Sequence, residues 1–422
     1  MKRDTLPHQQ NEPPHGLLVP PPAGSPVLGS PVLGSPALAG LTLSALAALA
    51  SLPACGGRAA LAPRERVAAS ERLTRAGDLA EAEAILWPGL RDGSAAPADR
   101  ARLLVQLGSV RMDMFWRWDI RPDLAAEPID EALALADRLA DARAADADAD
   151  VAGLRADAHD AAAMLAYTLK IFRHEGDWDA IDRGFARALA LARDDGRRAT
   201  IRFHLGLVRQ MRGDMVRAGD EFAASLALAR AAGNDPIAGE DLRHLAYLAD
   251  TRGERARAIA LFRESLRMRQ RMGNPPGEAT AHLALGEVLL DAGDLTAARQ
   301  HLEPAYRLAR RLGLGYAQVA AAAALARLEV RAGRPALAQP LVERATLVAR
   351  DRRDDEDLTR ASLAAAEVSA ALGQPAAARA HLDEARRAAG RSGDPDLARA
   401  CDDTARRLGP SAAPASSPGG SS

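Results

Sequence analysis

One glycine every 40 residues frames this chain: Gly213, Gly253, Gly293, Gly333 and Gly373. Seven residues before each stands a small residue (Gly206, Ala246, Gly286, Ala326, Ala366), and five after each an alanine (Ala218, Ala258, Ala298, Ala338, Ala378). Four positions further on comes a larger apolar residue, at Phe222, Phe262, Leu302, Val342 and Leu382, and three later a small one, at Ser225, Ser265, Ala305, Ala345 and Ala385. Five copies in one register make a repeat array. Spacings of three, four and seven describe one stripe of an amphipathic helix, and the glycine parts two such stripes. Each unit therefore reads as helix, tight turn, second helix. Small residues at matching places let the two helices approach closely, while Phe222 and its equivalents fill space toward the next unit.

The run Leu205-Gly206, Gly213-Asp214, Ala218, Phe222, Ser225 resembles the tetratricopeptide repeat, in its longer 40-residue form. Gly277-Glu278-Ala279, Leu285-Gly286, Ala292-Gly293-Asp294 and Leu308-Ala309-Arg310 carry the same pattern. The resemblance implies an all-α fold, a right-handed superhelical solenoid of antiparallel helix pairs, here about eight pairs plus a capping helix. Similar arrays occur in bacterial transcription activators, the kinesin light chain and animal scaffolds of G-protein signalling. They share the superhelix and little else in function. The proline that usually ends the second helix is replaced by glycine at Gly233, Gly273, Gly313 and Gly393, with Arg353 the exception. A left-handed helix terminator is the expectation there.

A solenoid has no single core to limit its length, which suits 422 residues. Aromatics make up only 3% and alanine supplies much of the apolar content, as close-packed helices require. A formal net charge of −1 implies no general attraction to nucleic acid or to acidic membranes.

Residues 1–57 precede the repeats as a leader rich in proline and glycine, with no charge between Gly16 and Gly57. Within it, 37–55 is an uncharged Ala/Leu run ending Leu52-Pro53-Ala54-Cys55, which resembles a bacterial secretion signal with a lipoprotein cleavage box. That resemblance implies lipidation of Cys55 and a lipid-anchored place in the cell envelope. Pro53 is unusual inside such a box, and Lys2 and Arg3 stand far from the apolar run. A retained membrane anchor and an untargeted tail stay open as other readings. Cys401, the second cysteine, reads as a buried thiol in a terminal helix, and no disulfide framework is implied.

Residues 58–145 read as two irregular helix pairs, the first turning at Gly77-Asp78. The second lacks a turn glycine and carries Phe115, Trp116 and Trp118 in its place. In a chain so poor in aromatics these three form either a contact patch or a plug for an irregular repeat. Residues 146–196 form a third pair turning at Gly176-Asp177, with Gly196 as its exit glycine. Asp146, Asp148, Asp150 and Asp157 have the spacing of calcium ligands, but Val151 stands where such a loop needs glycine. A solvated acidic lead-in to the following helix accounts for the run without a metal. Residues 197–393 are the five regular units, 394–408 a capping helix, and 409–422 a disordered tail.

No nucleophile comes with an identifiable base, the histidines lack zinc spacing, and no phosphate loop is present, so no enzyme, metal or cofactor is expected. His204 and His244 share a repeat position and read as a polar interface pair sooner than as metal ligands. By the resemblance, first helices line a concave groove. Its exposed positions are Phe203, Leu207, Gln210 and Met211; Glu240, Arg243, Tyr247 and Asp250; Leu283, Glu287 and Asp291; Arg327 and Arg331; then Arg360, Leu363 and Glu367. Such a lining runs from apolar through acidic to basic and suits a protein or extended peptide, and no nucleic acid. The expected function is a non-catalytic scaffold, exported and lipid-anchored through Cys55. The alternative is a cytoplasmic regulatory or sensor array that controls a signalling or transcription partner.

Overall fold

The computed structural model of the protein describes residues 61–93, 95–118, 123–142 and 149–409, and for 116–118 and 149 the backbone alone. The leader with Cys55, Asp146, Asp148 and the tail from 410 lie outside the described residues.

Every described element is an α-helix. In chain order they are α1 (Pro63–Ala76), α2 (Leu79–Ala84), α3 (Trp87–Arg91), α4 (Pro97–Trp118), α5 (Asp123–Ala142), α6 (Ala149–Arg173), α7 (Trp178–Leu191), α8 (Asp195–Met211) and α9 (Met215–Ala232). Then follow α10 (Asp235–Thr251), α11 (Arg255–Arg271), α12 (Pro275–Asp291), α13 (Leu295–Leu312), α14 (Gly315–Arg331), α15 (Pro335–Arg352), α16 (Asp355–Ala371), α17 (Pro375–Ser392) and α18 (Pro395–Leu408). These are eight helix pairs, the second arm of the first split into α2 and α3, with α18 as the cap. First helices also pack on one another, α4 on α6, α6 on α8, α12 on α14 and α14 on α16, which makes them one continuous wall. The wall coils until α12 lies against α1.

The repeat signature has a direct structural cause. Turn glycines 213, 253, 293, 333 and 373 all take left-handed φ, between 73° and 83°. After α8, Asp214 N–H donates to Arg209 O (2.9 Å) and Gly213 N–H to Gln210 O (3.0 Å), which satisfies carbonyls the helix end would leave bare. The aspartate that follows then caps the next helix, Asp214 accepting from Arg217 N (3.0 Å) and Asp294 from Ala297 N (2.9 Å). Arg353 adopts the left-handed conformation of the glycines it replaces, with φ 55°.

The small residue seven before the turn is an interior contact. A Cβ on Gly206 would stand 2.4 Å from Phe222 Cε1, and one on Gly286 would stand 2.6 Å from Leu302 Cδ2. Phe222 and Leu302 are fully buried, so the bulky residue first fills the hollow of its own pair and only then reaches the next.

Two expectations need correction, and for Phe115 an open choice is resolved. The second arm of the first pair breaks at Ile85–Leu86, because Pro88 has no N–H to return to the preceding turn. Gly196 is no exit glycine: Ala192 ends α7 in extended conformation, and Asp194 caps α8 by accepting from Arg197 N (2.9 Å), so Gly196 lies inside that helix. Phe115 is buried and stacks edge-on against Phe172 at 4.6 Å, so it plugs the joint between α4 and α6 instead of forming a contact patch; the side chains of Trp116 and Trp118 lie outside the described residues.

Candidate functional site

The concave wall divides into two halves of different character. Over the first four pairs it encloses a cavity of about 650 Å³ between α1, α4, α6 and α8. Val67, Val105, Met112, Leu154 and Met164 supply apolar surface there. Its polar side is an interlocked set on α6 and α8. Arg197 donates Nε to Asp157 Oδ1 (2.7 Å) and Nη2 to Asp157 Oδ2 (2.9 Å), while its Nη1 reaches Asp194 Oδ2 (2.7 Å). Burial pushes the Asp157 carboxyl up against the pull of Arg197. His204 Nδ1 pairs with Asp160 Oδ1 at 2.8 Å. Asp150, the other described member of the acidic run, is held by Arg102 and Arg64 and sits below its ordinary pKa through the Arg102 hydrogen bond, against some desolvation. Both described aspartates of the calcium spacing are thus committed to arginines.

From the far side of α8 to the last pair the wall is filled by its own side chains. Phe203, Leu207, Gln210, Leu283, Leu363 and Asp250 are buried, which corrects their assignment as exposed groove positions. The register explains this. Residues ten and three before the turn glycine, such as Phe203 and Gln210, lie two helical turns apart on the side that meets the next pair. Phe203 packs on Phe222 (centroids 5.8 Å) and His244 (5.4 Å), and His244 stacks on Phe222 at 4.7 Å. Gln210 Oε1 meets His244 Nδ1 at 2.8 Å, so Phe203 separates His204 from His244 and each imidazole has a protein partner. Burial, then Arg243, holds His244 well below its ordinary pKa, which keeps it neutral.

In the row six before the turn Leu207 is buried, while Tyr247, Glu287, Arg327 and Glu367 reach the groove half-buried, and Met211, Asp291 and Arg331 at the helix ends are exposed. Glu240 and Arg243 are bonded to each other (3.1 Å), and Glu240 also takes the buried Arg269 (2.8 Å). Despite burial, Arg269 and Arg243 hold Glu240 at about 2. Arg360 lies with its guanidinium over the Tyr316 ring, 5.3 Å from the centroid.

The structure therefore brings the predicted residues of α10, α12, α14 and α16 together, but the open volume stands nearer the start of the array, over the two irregular pairs, the third pair and the first helix of the first regular unit. One signal was available. Asp157–Arg197, Glu287–Arg327, Asp291–Arg331 and Glu367–Arg407 are each an acid and an arginine one 40-residue repeat apart, and all four are bonded in the fold. Rungs of this kind mark which face of each first helix looks along the array.

Among known families, that of the MalT-like TPR region matches residues 161–394. Two of the solved structures that are similar in fold are Rap proteins. A Rap protein complexed with competence and sporulation factor has TM-score 0.53 and 13% identity, over 82% of this chain and 96% of that one. The apo form of RapI has TM-score 0.50 and 12% identity, over 82% and 98%. No curated protein matches the sequence.

Proposed function

We propose, from the premise that this chain belongs to the MalT-like TPR region family, that it is a non-catalytic scaffold whose concave face seats a protein segment or extended peptide. The cavity of about 650 Å³ between α1, α4, α6 and α8 carries this reading. Its walls come from the first helices of four successive pairs, and it sets apolar side chains beside a fixed row of charged ones. That combination suits a peptide, whose side chains alternate in character along an extended backbone. A Rap protein of similar fold was solved complexed with competence and sporulation factor, which supports a binding role for such an array.

Selection of peptides from a displayed library, followed by fluorescence polarisation, tests the proposal. Ser109 lines the cavity and bonds only locally, to Val105 O, so Ser109→Trp fills the space without touching the repeat contacts. Selected peptides should lose binding to this variant. Undiminished binding would move the seat elsewhere.

The Cys55 segment places the scaffold, on this reading, at the envelope of a bacterium through a lipid anchor. Palmitate incorporation that disappears in Cys55→Ala is the expected result. Unlabelled protein in the soluble cytosolic fraction would favour the regulatory array instead.

A further inference from the structure

Two guanidiniums on the filled half of the wall share one carboxylate. Glu287 on α12 receives Arg327 Nη2 from α14, at a long 3.4 Å. Arg360 on α16 faces the same carboxylate electrostatically, but no ion pair or hydrogen bond to it lies within reach among the described residues. Nε of Arg327 and Nε of Arg360 are both buried with no hydrogen-bond partner. Four arginines of the same pairs and of the cap each hold a carboxylate: Arg331 holds Asp291, Arg352 holds Asp357, Arg391 holds Asp355 and Arg407 holds Glu367. Asp354, Asp355 and Asp357, at the start of α16, are therefore already taken by Arg352 and Arg391. Burial disfavours the Arg360 cation, but Tyr316, Glu287, Asp357 and Glu356 together outweigh it, so what the group lacks is an acceptor at Nε. The guanidinium of Arg360 lies over the Tyr316 ring, and Tyr247 is close enough for burial and then the charges of Tyr316 and Glu287 to raise it well above its ordinary pKa.

A buried guanidinium with an unmet donor costs free energy that a carboxylate would recover, since arginine's planar fork matches a carboxylate in two parallel bonds. We propose that Arg327 and Arg360, framed by Tyr316, form a subsite for a carboxylate of the bound peptide, an acidic side chain or a free C-terminus. This rests on the reading that the concave face seats a peptide. The subsite gives a ligand that starts in the open cavity a fixed anionic anchor further along the wall.

Two probes test it on the full chain. Succinate, titrated at constant ionic strength, should shift the Nε–H resonances of Arg327 and Arg360, and the shift at Arg327 should vanish in Arg360→Gln while surviving in Arg391→Gln on the outer side. Inorganic phosphate in parallel separates the sources: a response to phosphate and none to succinate would overturn the carboxylate assignment. Peptides selected on the wild-type protein should bind at least about tenfold more weakly once amidated at the C-terminus or changed from Asp and Glu to Asn and Gln. Arg360→Lys, which keeps the charge and loses the fork, should lose a similar factor. If such peptides bind unchanged after those replacements, the subsite is wrong while the groove reading stands. If no peptide binds at all, the groove reading fails and the succinate titration still decides the subsite.

Discussion

Replacing Asp241 by asparagine should remove a pH-dependent weakness from the joint between the fourth and fifth pairs. Asp241 lies on α10 with no exposed surface. Ser225 Oγ, on α9, is 2.8 Å from Ala199 O and 2.7 Å from Asp241 Oδ2. A hydroxyl has one hydrogen to give. If it goes to the Ala199 carbonyl, the second contact closes only when Asp241 carries a proton and donates to Ser225. Burial pushes the Asp241 carboxyl up to about 8, with Ser225 pulling the other way and the charge of Glu240 adding to the rise. The folded value thus lies above the unfolded 3.8, so between the two the native protein holds a proton that the unfolded chain has lost. Stability from this group is complete below the unfolded value and drains away as pH climbs through the folded one, at about 1.4 kcal/mol per pH unit. From pH 5 to pH 8 the loss is on the order of 4 kcal/mol. Asparagine does not titrate and offers an N–H to Ser225 from the same place. Its extra amide hydrogen finds no acceptor in a spot where Asp241 Oδ1 is already without a partner, a constant cost of about 1–3 kcal/mol. Urea unfolding of both proteins at pH 5, 6.5 and 8 therefore gives a difference that opens with pH in favour of Asp241→Asn, whatever its starting sign. Every other titrating group cancels in that difference. Two curves that run parallel across the range would refute the protonated-carboxyl reasoning.

The packing makes further predictions. Gly206→Ala should lower the free energy of urea unfolding by about 1–3 kcal/mol, because its Cβ meets the fully buried Phe222 ring at 2.4 Å. Gly239→Ala, in the first helix of the next pair, meets nothing nearer than Met272 Cε at 3.8 Å and should raise it by about 0.5–1 kcal/mol. Arg353→Gly should also stabilise, by about 0.5–1 kcal/mol in the same assay, by relieving the left-handed conformation at φ 55°. Cys401 is buried and its thiol is pushed up to about 11, chiefly by burial, so in a Cys55→Ser background a thiol reagent at pH 8 should react only after denaturant is added.

Fold and site were legible in the sequence to different depths, and the difference follows range of interaction. The turn glycines, the small residues opposite Phe222 and Leu302, the aspartate caps and the terminal cap α18 all express contacts within one unit or between neighbours. A strict 40-residue period copies such contacts five times, so pattern alone determined an all-helical array of paired helices and its frame. Reading Phe203, Gln210 and Leu363 as groove-lining failed because a helical stripe gives the buried rows, but not how far each pair is rotated against the next. That rotation accumulates along the array. It brings α12 back against α1, leaves a cavity nearer the start of the array, and lets Tyr247, Tyr316 and Arg360, contributed by three different pairs, crowd around Glu287 of a fourth. The sequence determined each pair and its neighbour; only the superhelix, a sum of small turns over eight pairs, decided what faces what across the hollow.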